Sequence, residues 1–290
     1  MGARLIWFRR AALVATVLCA VVVVVGAWVR LTDAGLGCPD WPGCYGQIHP
    51  AQVVDSGTYP ERPFDYRKAL NEMVHRYVVA ALGLVILALA ALSFFNRVDP
   101  AQPRVLPWVV VALVALQALL GMWTVTLLLK PLVVTLHLLG GLATLSLLWW
   151  LALAPERREL KAAERPVRNL AIVAMVVMVL QVALGGWTSS NYAAAACAEF
   201  PTCHGSWWPD MDFANAFVLW RGLGIDYEGG VLGGPARVAI QYSHRLGAYL
   251  TALVLLLLVA GVWRRGQTLV TRSAGTAVLL ALMLQILVGM

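Results

Sequence analysis

The chain has 290 residues, of which 60% are hydrophobic and 13% charged, and its mean hydropathy is +0.75. Soluble domains carry about 25% charged residues, so this composition excludes a soluble globular protein and indicates an all-α integral membrane protein. The net charge of +7 lies mostly in short segments between apolar runs. This distribution is typical of membrane topology and excludes nucleic acid as the partner.

Seven uncharged runs are each long enough to cross a hydrocarbon core about 30 Å thick. They predict transmembrane helices at 11–29, 77–96, 105–129, 131–155, 169–198, 246–263 and 273–290. The segments on the N-terminal side of the membrane carry 13 of the 22 Lys and Arg residues but only four of the 15 acidic ones. This basic excess predicts a cytoplasmic N-terminus. Since no cleaved signal precedes the first run, a bacterial inner membrane is the simplest location.

An internal repeat organises the chain. Three blocks recur in order: Gly26–Gly46 on Gly185–Gly205 at an offset of 159, His75-Arg76 on His244-Arg245 at 169, and Leu116–Met122 on Leu284–Met290 at 168. The ten-residue change of offset predicts an insertion within residues 210–234.

The repeat predicts two tandem pseudo-symmetric four-helix bundles, residues 1–155 and 156–290, joined by the charged linker Glu156–Arg168. An even number of helices in each unit keeps both in the same orientation. The position of His137 in the first unit predicts a fourth histidine near position 305, in an eighth helix. The chain is therefore expected to be C-terminally truncated, with eight transmembrane helices in the parent protein and seven here.

Three histidines in or beside the apolar runs are candidate metal ligands. His75 precedes the second predicted helix, His137 lies about two turns into the fourth, and His244 repeats His75. Facing imidazoles on alternate helices of a bundle are suited to hold haem iron, although each histidine could instead only hydrogen-bond a neighbouring helix. Gly140-Gly141 would let a flat ligand approach, which favours haem. Zinc is disfavoured because no Cys or carboxylate joins these histidines within either bundle.

Glu72 distinguishes the two units, because its counterpart in the second repeat is Gln241. If the second helix begins near Leu70, Glu72 shares a face with His75. A carboxyl beside a cofactor pocket can handle protons in a reaction. The alternative is a first-turn acid that the helix dipole stabilises.

Arg76 and Arg245 each follow a ligand candidate in the sequence. Each guanidinium could bind the paired carboxylates of haem propionates, because arginine forms paired hydrogen bonds with carboxylates. Alternatively, each side chain extends to the membrane interface. The sequence leaves both roles open.

Four of the five cysteines form two close pairs in the long loops, each with five residues and a proline between its members: Cys38 with Cys44 and Cys197 with Cys203. Such pairs outside the membrane favour local disulfides over metal binding, with thiols awaiting redox exchange as the alternative. Cys19 lies inside the first predicted helix, where a small packing residue is expected.

Together these residues resemble the haem A synthase family, membrane enzymes that convert haem O to haem A for terminal oxidases. The segments that carry the resemblance are Gly26–Thr32, Gly35–Cys44, Glu72–Arg76, Thr135–Gly141 and His244–Gly247. The loop cysteines also match the form of the family that carries them.

The resemblance implies that the first bundle binds haem O through His75 and His137, near the periplasmic face, with Glu72 in the reaction. The second bundle would hold a haem b through His244 and the missing histidine. The implied reaction oxidises a ring methyl to a formyl group by successive hydroxylations. It implies haem O synthase and an electron donor as partners within the lipid membrane, and a homo-oligomer stays open.

Two alternative functions belong to other classes. One is a bis-histidine b-type cytochrome that only transfers electrons, and the other is a haem carrier without chemistry. Neither obviously needs one acid, Glu72, at only one of two equivalent sites.

Overall fold

The computed structural model describes residues 3–54, 59–153, 164–265 and 268–289. Within these ranges the chain forms α1 (Ala3–Leu31), a 3-10 turn (Pro50–Gln52), α2 (Tyr66–Phe95), α3 (Leu106–Thr126), α4 (Pro131–Leu153), α5 (Arg165–Ser190), α6 (Phe213–Ala216), α7 (Gly234–Arg265) and α8 (Leu269–Gly289). Seven of these described helices, all except α6, are long and apolar enough to cross a membrane. The all-α integral membrane fold is thus confirmed.

The helix α2 begins earlier than its apolar run. Asp65 caps it, because one carboxylate oxygen accepts hydrogen bonds from two N–H groups of the first turn, at 2.9 and 3.2 Å. These N–H groups have no partner within a helix, so a capping carboxylate fixes the start of the helix. The helix starts at Tyr66, four residues before Leu70. Glu72 therefore lies beyond the first turn, and the interpretation as a first-turn acid is wrong.

The first four long helices close into a ring. α1 packs against α2 and α4, and α3 packs against the same two helices, so α2 and α4 face each other across a diagonal. We call the end of this bundle where α1 and α3 finish, and where α2 and α4 begin, its loop end. The other half of the bundle is filled by a buried apolar cluster: Phe8, Ala12, Ala15, Cys19, Leu82, Ile86, Leu89, Val110, Leu148, Leu151 and Ala152. Space for a ligand is therefore left toward the loop end.

The chain divides into two compact units. Unit 1 comprises Met1–Leu160 and Leu219–Val231, and unit 2 comprises Lys161–Val218 and Leu232–Met290. In unit 2, α7 packs against α5, α6 and α8. The predicted boundary between residues 155 and 156 lies in 154–163, outside the described residues. The predicted insertion at 210–234 contains the segment 219–231, which packs with the first unit although it follows α6.

The two disulfide loops have the same local structure. Cys38 is bonded to Cys44 and Cys197 to Cys203, in the pairing that the spacing predicts. A cis peptide bond precedes the proline of each loop, and the second cysteine of each forms a single β-bridge with the residue three positions later. The internal repeat therefore extends to backbone geometry.

We expect peptide mapping without reduction to recover these two local disulfides. The Cα atoms of each pair are 4.8 and 5.0 Å apart, within the range that a disulfide requires. Cys19 is buried in α1 as a free thiol, so it should be the one cysteine alkylated after unfolding. Disulfides crossed between the loops, or four free loop thiols, would contradict this expectation.

Candidate functional site

Each of the three intramembrane histidines lies against a glycine of a neighbouring helix. The pairs are Gly26 with His75, Gly121 with His137 and Gly185 with His244, where an added Cβ would lie 3.0, 3.5 and 3.1 Å from the imidazole Cε1. A larger side chain at these glycines would crowd the ring, because protein interiors are closely packed. The glycines therefore make room for the three imidazoles.

The interior of unit 1 contains polar atoms without partners. His75 on α2 and His137 on α4 face across the bundle diagonal and interact electrostatically. Among the described residues, the Nδ1 atoms of both are buried without a hydrogen bond, as are Gln117 Nε2 and Thr135 Oγ1. Such buried unpaired groups are uncommon and need an explanation. A haem, which offers iron and a polarisable ring, fits this donor set.

The two glycines after His137 differ in their surroundings. A Cβ at Gly140 would lie 1.9 Å from Gln117 Nε2, so Gly140 accommodates that side chain. A Cβ at Gly141 would have no atom within 4 Å among the described residues. The prediction that both glycines admit a flat ligand is therefore wrong for Gly140.

Glu72 is 5% exposed, and both of its carboxylate oxygens accept hydrogen bonds. Oε2 accepts from the Cys38 N–H at 2.8 Å, and Oε1 accepts from Arg76 Nη2. These bonds are charge-assisted and thus stronger than neutral ones, and they fasten the first disulfide loop to α2. In unit 2, Gln241 Oε1 is buried without a partner among the described residues. The difference between the repeats is therefore structural as well as chemical.

The two predicted propionate-binding arginines hold the disulfide loops. The guanidinium of each donates to backbone carbonyls of the loop in its own repeat, and two of these distances are 3.0 Å for Arg76 and 2.7 Å for Arg245. The accepting carbonyls belong to Asp40, Pro42 and Gly43 for Arg76, and to Cys197 and Thr202 for Arg245. Their pairing with haem propionates stays a prediction.

Gln181 is a site residue that the sequence reasoning missed. Its Nε2 lies 3.0 Å from His244 Nδ1 and also donates to the His244 carbonyl at 3.0 Å. The equivalent position of the first repeat is Val22, so His75 has no such partner there. A glutamine inside an apolar helix is the signal that could have found it, because polar groups are costly in the membrane.

Residues 9–290 match the COX15-CtaA family, described as cytochrome oxidase assembly protein. The chain belongs to this family. A COX15-CtaA relative, the Heme A synthase of Shewanella oneidensis, is 45% identical over 263 residues, which cover 88% of the chain and 78% of the relative. The Heme A synthase of Symbiobacterium thermophilum is 30% identical over 291 residues, covering 95% and 81%. That of Caulobacter vibrioides is 28% identical over 299 residues, covering 92% and 81%. The family predicted from the motifs is therefore confirmed.

Proposed function

We infer that this chain is a haem A synthase, a membrane oxidoreductase that converts a methyl group of haem O to the formyl group of haem A. The observation that carries this inference is the match over residues 9–290, together with 45% identity to a Heme A synthase. Haem A formed in this way serves terminal oxidase assembly. The cytochrome alternative has no comparable support, because the similar proteins are named as synthases.

We propose that unit 1 binds haem O between α2 and α4, with His75 and His137 as the two axial ligands of its iron. The diagonal placement of the two helices, the glycines beside the imidazoles and the unpaired Nδ1 atoms support this arrangement. The iron supplies the redox chemistry when haem is bound. The chain contributes the ligands that hold the ring and an apolar enclosure that excludes water.

Glu72 is proposed to handle protons during oxidation of the methyl group. Oxidation of a C–H bond releases a proton as well as electrons, and a nearby carboxylate can accept it. Glu72 and His75 are three residues apart on α2, so both side chains project from one face of the helix. The position and burial of Glu72 support this role, and Arg76 balances its negative charge.

Unit 2 is proposed to bind a haem b cofactor through His244, with Arg245 near its edge. Gln181 supports this proposal, because metal-bound histidines usually have a hydrogen-bond partner on the second ring nitrogen. An imidazole oriented in this way suits a cofactor that stays bound. The unpaired Nδ1 of His75 suits a haem that must leave after the reaction.

Replacing Gln181 with Leu should weaken haem b binding by about 10–100-fold, as expected for loss of a partner of a ligating histidine. Titration of the purified protein with haem b, followed by absorbance, measures the change. Val22→Leu alters the equivalent position of the first repeat and should leave the affinity unchanged. An unaltered affinity in Gln181→Leu would show that the glutamine does not support a haem ligand.

The protein is proposed to lie in the bacterial inner membrane, with a cytoplasmic N-terminus and haem sites near the periplasmic face. The basic residues of the short segments support this orientation, and disulfides in both long loops suit an oxidising compartment. The substrate then comes from a haem O synthase, and a separate donor exchanges electrons with the site.

The test of this function is the pigment made in cells. The chain is expressed together with a haem O synthase in a host that makes no haem A, and the haems are extracted and separated. Haem A should appear at the expense of haem O. Bound haem with unchanged haem O would favour the cytochrome, and no bound haem would argue against both functions.

A further inference from the structure

Residues Leu219–Val231 form a segment that belongs to unit 1 although it follows α6 of the second repeat. We call it the lid segment. It lies inside the predicted insertion of residues 210–234, so the first repeat has no counterpart of it. Its contacts with unit 1 are therefore an addition to the repeated fold.

One end of the lid segment surrounds a buried lysine. Lys130 is 2% exposed, and its Nζ donates to the Gly222 carbonyl. The ammonium lies 3.6 Å from the centre of the Trp220 ring and 5.9 Å from that of Tyr227. The Tyr227 N–H also donates to the Leu128 carbonyl at 3.1 Å. Contacts of a cation with a carbonyl and aromatic faces strengthen where water is excluded.

The other end of the lid segment is held by ion pairs beside the start of α2. Arg62 pairs with Asp226 and, at 2.7 Å, with Glu228. Lys68 also pairs with Glu228, at 3.3 Å. Because the Arg62 side chain is only 19% exposed, this pair is better shielded from solvent than a typical surface pair.

These two attachments lie on the same diagonal as the candidate haem ligands. Lys68 is on α2, seven residues before His75, and Lys130 directly precedes α4, seven residues before His137. Seven residues of helix rise about 10 Å. A segment that is attached near both lysines therefore crosses the loop end of unit 1, about 10 Å above the level of the two histidines.

We propose that the lid segment closes the loop end of the haem O site and that Lys130 is the residue that positions it. The identity of the enclosed ligand, a large tetrapyrrole with two carboxylates, rests on the proposed function. A closed lid keeps water from the reacting group and holds the substrate until oxidation is complete. Exchange of haem O for haem A then requires the lid to open.

Lysine labelling tests the closure without any haem. The chain has three lysines, Lys68, Lys130 and Lys161, and the Lys68 side chain is 39% exposed. In lipid nanodiscs, an amine-acylating reagent should modify Lys130 at least about tenfold more slowly than Lys68 if opening is unfavourable. Burial lowers the pKa of the Lys130 amine and so favours its reactive neutral form. Slow modification of Lys130 would therefore report enclosure.

Two variants loosen the lid and leave Lys130 in place. The double change Asp226→Asn with Glu228→Gln removes the ion pairs, and Trp220→Leu removes the ring over the ammonium. Each should raise the labelling rate of Lys130 about tenfold, the effect of making local opening easier by one power of ten. Arg265→Gln, which breaks an exposed ion pair with Glu164, is the control and should change nothing. Equal labelling of Lys130 and Lys68 in the unaltered protein, or no change in both variants, would overturn the proposal.

Haem release tests the link to the site. Protein loaded with haem O is mixed with excess apomyoglobin, and the transfer of haem is followed by absorbance. The lid variants should release haem O about tenfold faster, and Arg265→Gln should release it at the original rate. Faster release in a chain that makes no haem A would retain the lid and reject the synthase. Normal haem A formation with unchanged release in both lid variants would retain the synthase and reject the lid.

Discussion

Replacing Glu72 with Gln is expected to lower the rate of haem A formation by about 10²–10⁴-fold, the usual contribution of a general acid or base. The change copies the residue that the second repeat carries at Gln241 and keeps the volume of the side chain. An amide can still accept the Cys38 N–H, but it has no charge to pair with Arg76. The ratio of haem O to haem A in extracted pigment measures the effect, with haem O or a hydroxylated intermediate accumulating.

The contacts of Glu72 require a second variant, because the residue also fastens the disulfide loop. Glu72→Ala removes both hydrogen bonds, so it should lose activity and also make the Cys38–Cys44 disulfide easier to reduce. In Glu72→Gln the disulfide should stay protected. The reciprocal change Gln241→Glu is the matched control and should leave haem A formation unchanged. Haem A production at the original level in Glu72→Gln would limit Glu72 to its structural role.

Replacing His75 or His137 with Ala should remove haem O from unit 1 and abolish haem A. Loss of a partner of a ligating histidine already costs about 10–100-fold in metal affinity, so loss of the ligand itself should cost more. The Gly26 and Gly121 surfaces beside the rings would also face a cavity. Haem content and the absorbance spectrum of purified protein report the loss.

Exposed His204 is the control for this pair of variants. His204→Ala should keep its haem content and its activity. Added imidazole should restore part of the bound haem in His75→Ala and His137→Ala, because a free imidazole can occupy the space of the missing side chain. Full haem content in both variants without imidazole would exclude them as ligands.

The membrane fold follows from the sequence because apolar runs report the bilayer directly. The helix ends do not follow, because helices continue beyond the membrane. α2 starts 11 residues before its predicted apolar run at 77, and α7 starts 12 residues before its own at 246. The added turns carry Arg67, Lys68 and Arg237, which the hydropathy pattern excludes. A capping residue such as Asp65 was the local signal for the earlier start.

The candidate ligands follow from the repeat, but their surroundings do not. Equivalent spacing places His75 and His244 without any knowledge of the contacts. The loop carbonyls that bind Arg76 are backbone groups, which carry no sequence signal. The pairs Arg62–Glu228 and Lys130–Trp220 join residues 166 and 90 positions apart. Single-sequence patterns cannot predict such distant pairs, because periodicity is a local property.

The attachment of residues 219–231 to unit 1 makes the two repeats unequal partners in any dissection of the gene. A first half cut at the repeat boundary would lack the Gly222 carbonyl and the Trp220 ring, and would expose or strand the Lys130 ammonium. Chimaeras that exchange halves between relatives must therefore move this short stretch together with the first half. A duplicated module has in this way become dependent on a piece of its own copy, and the halves can no longer be treated as interchangeable parts.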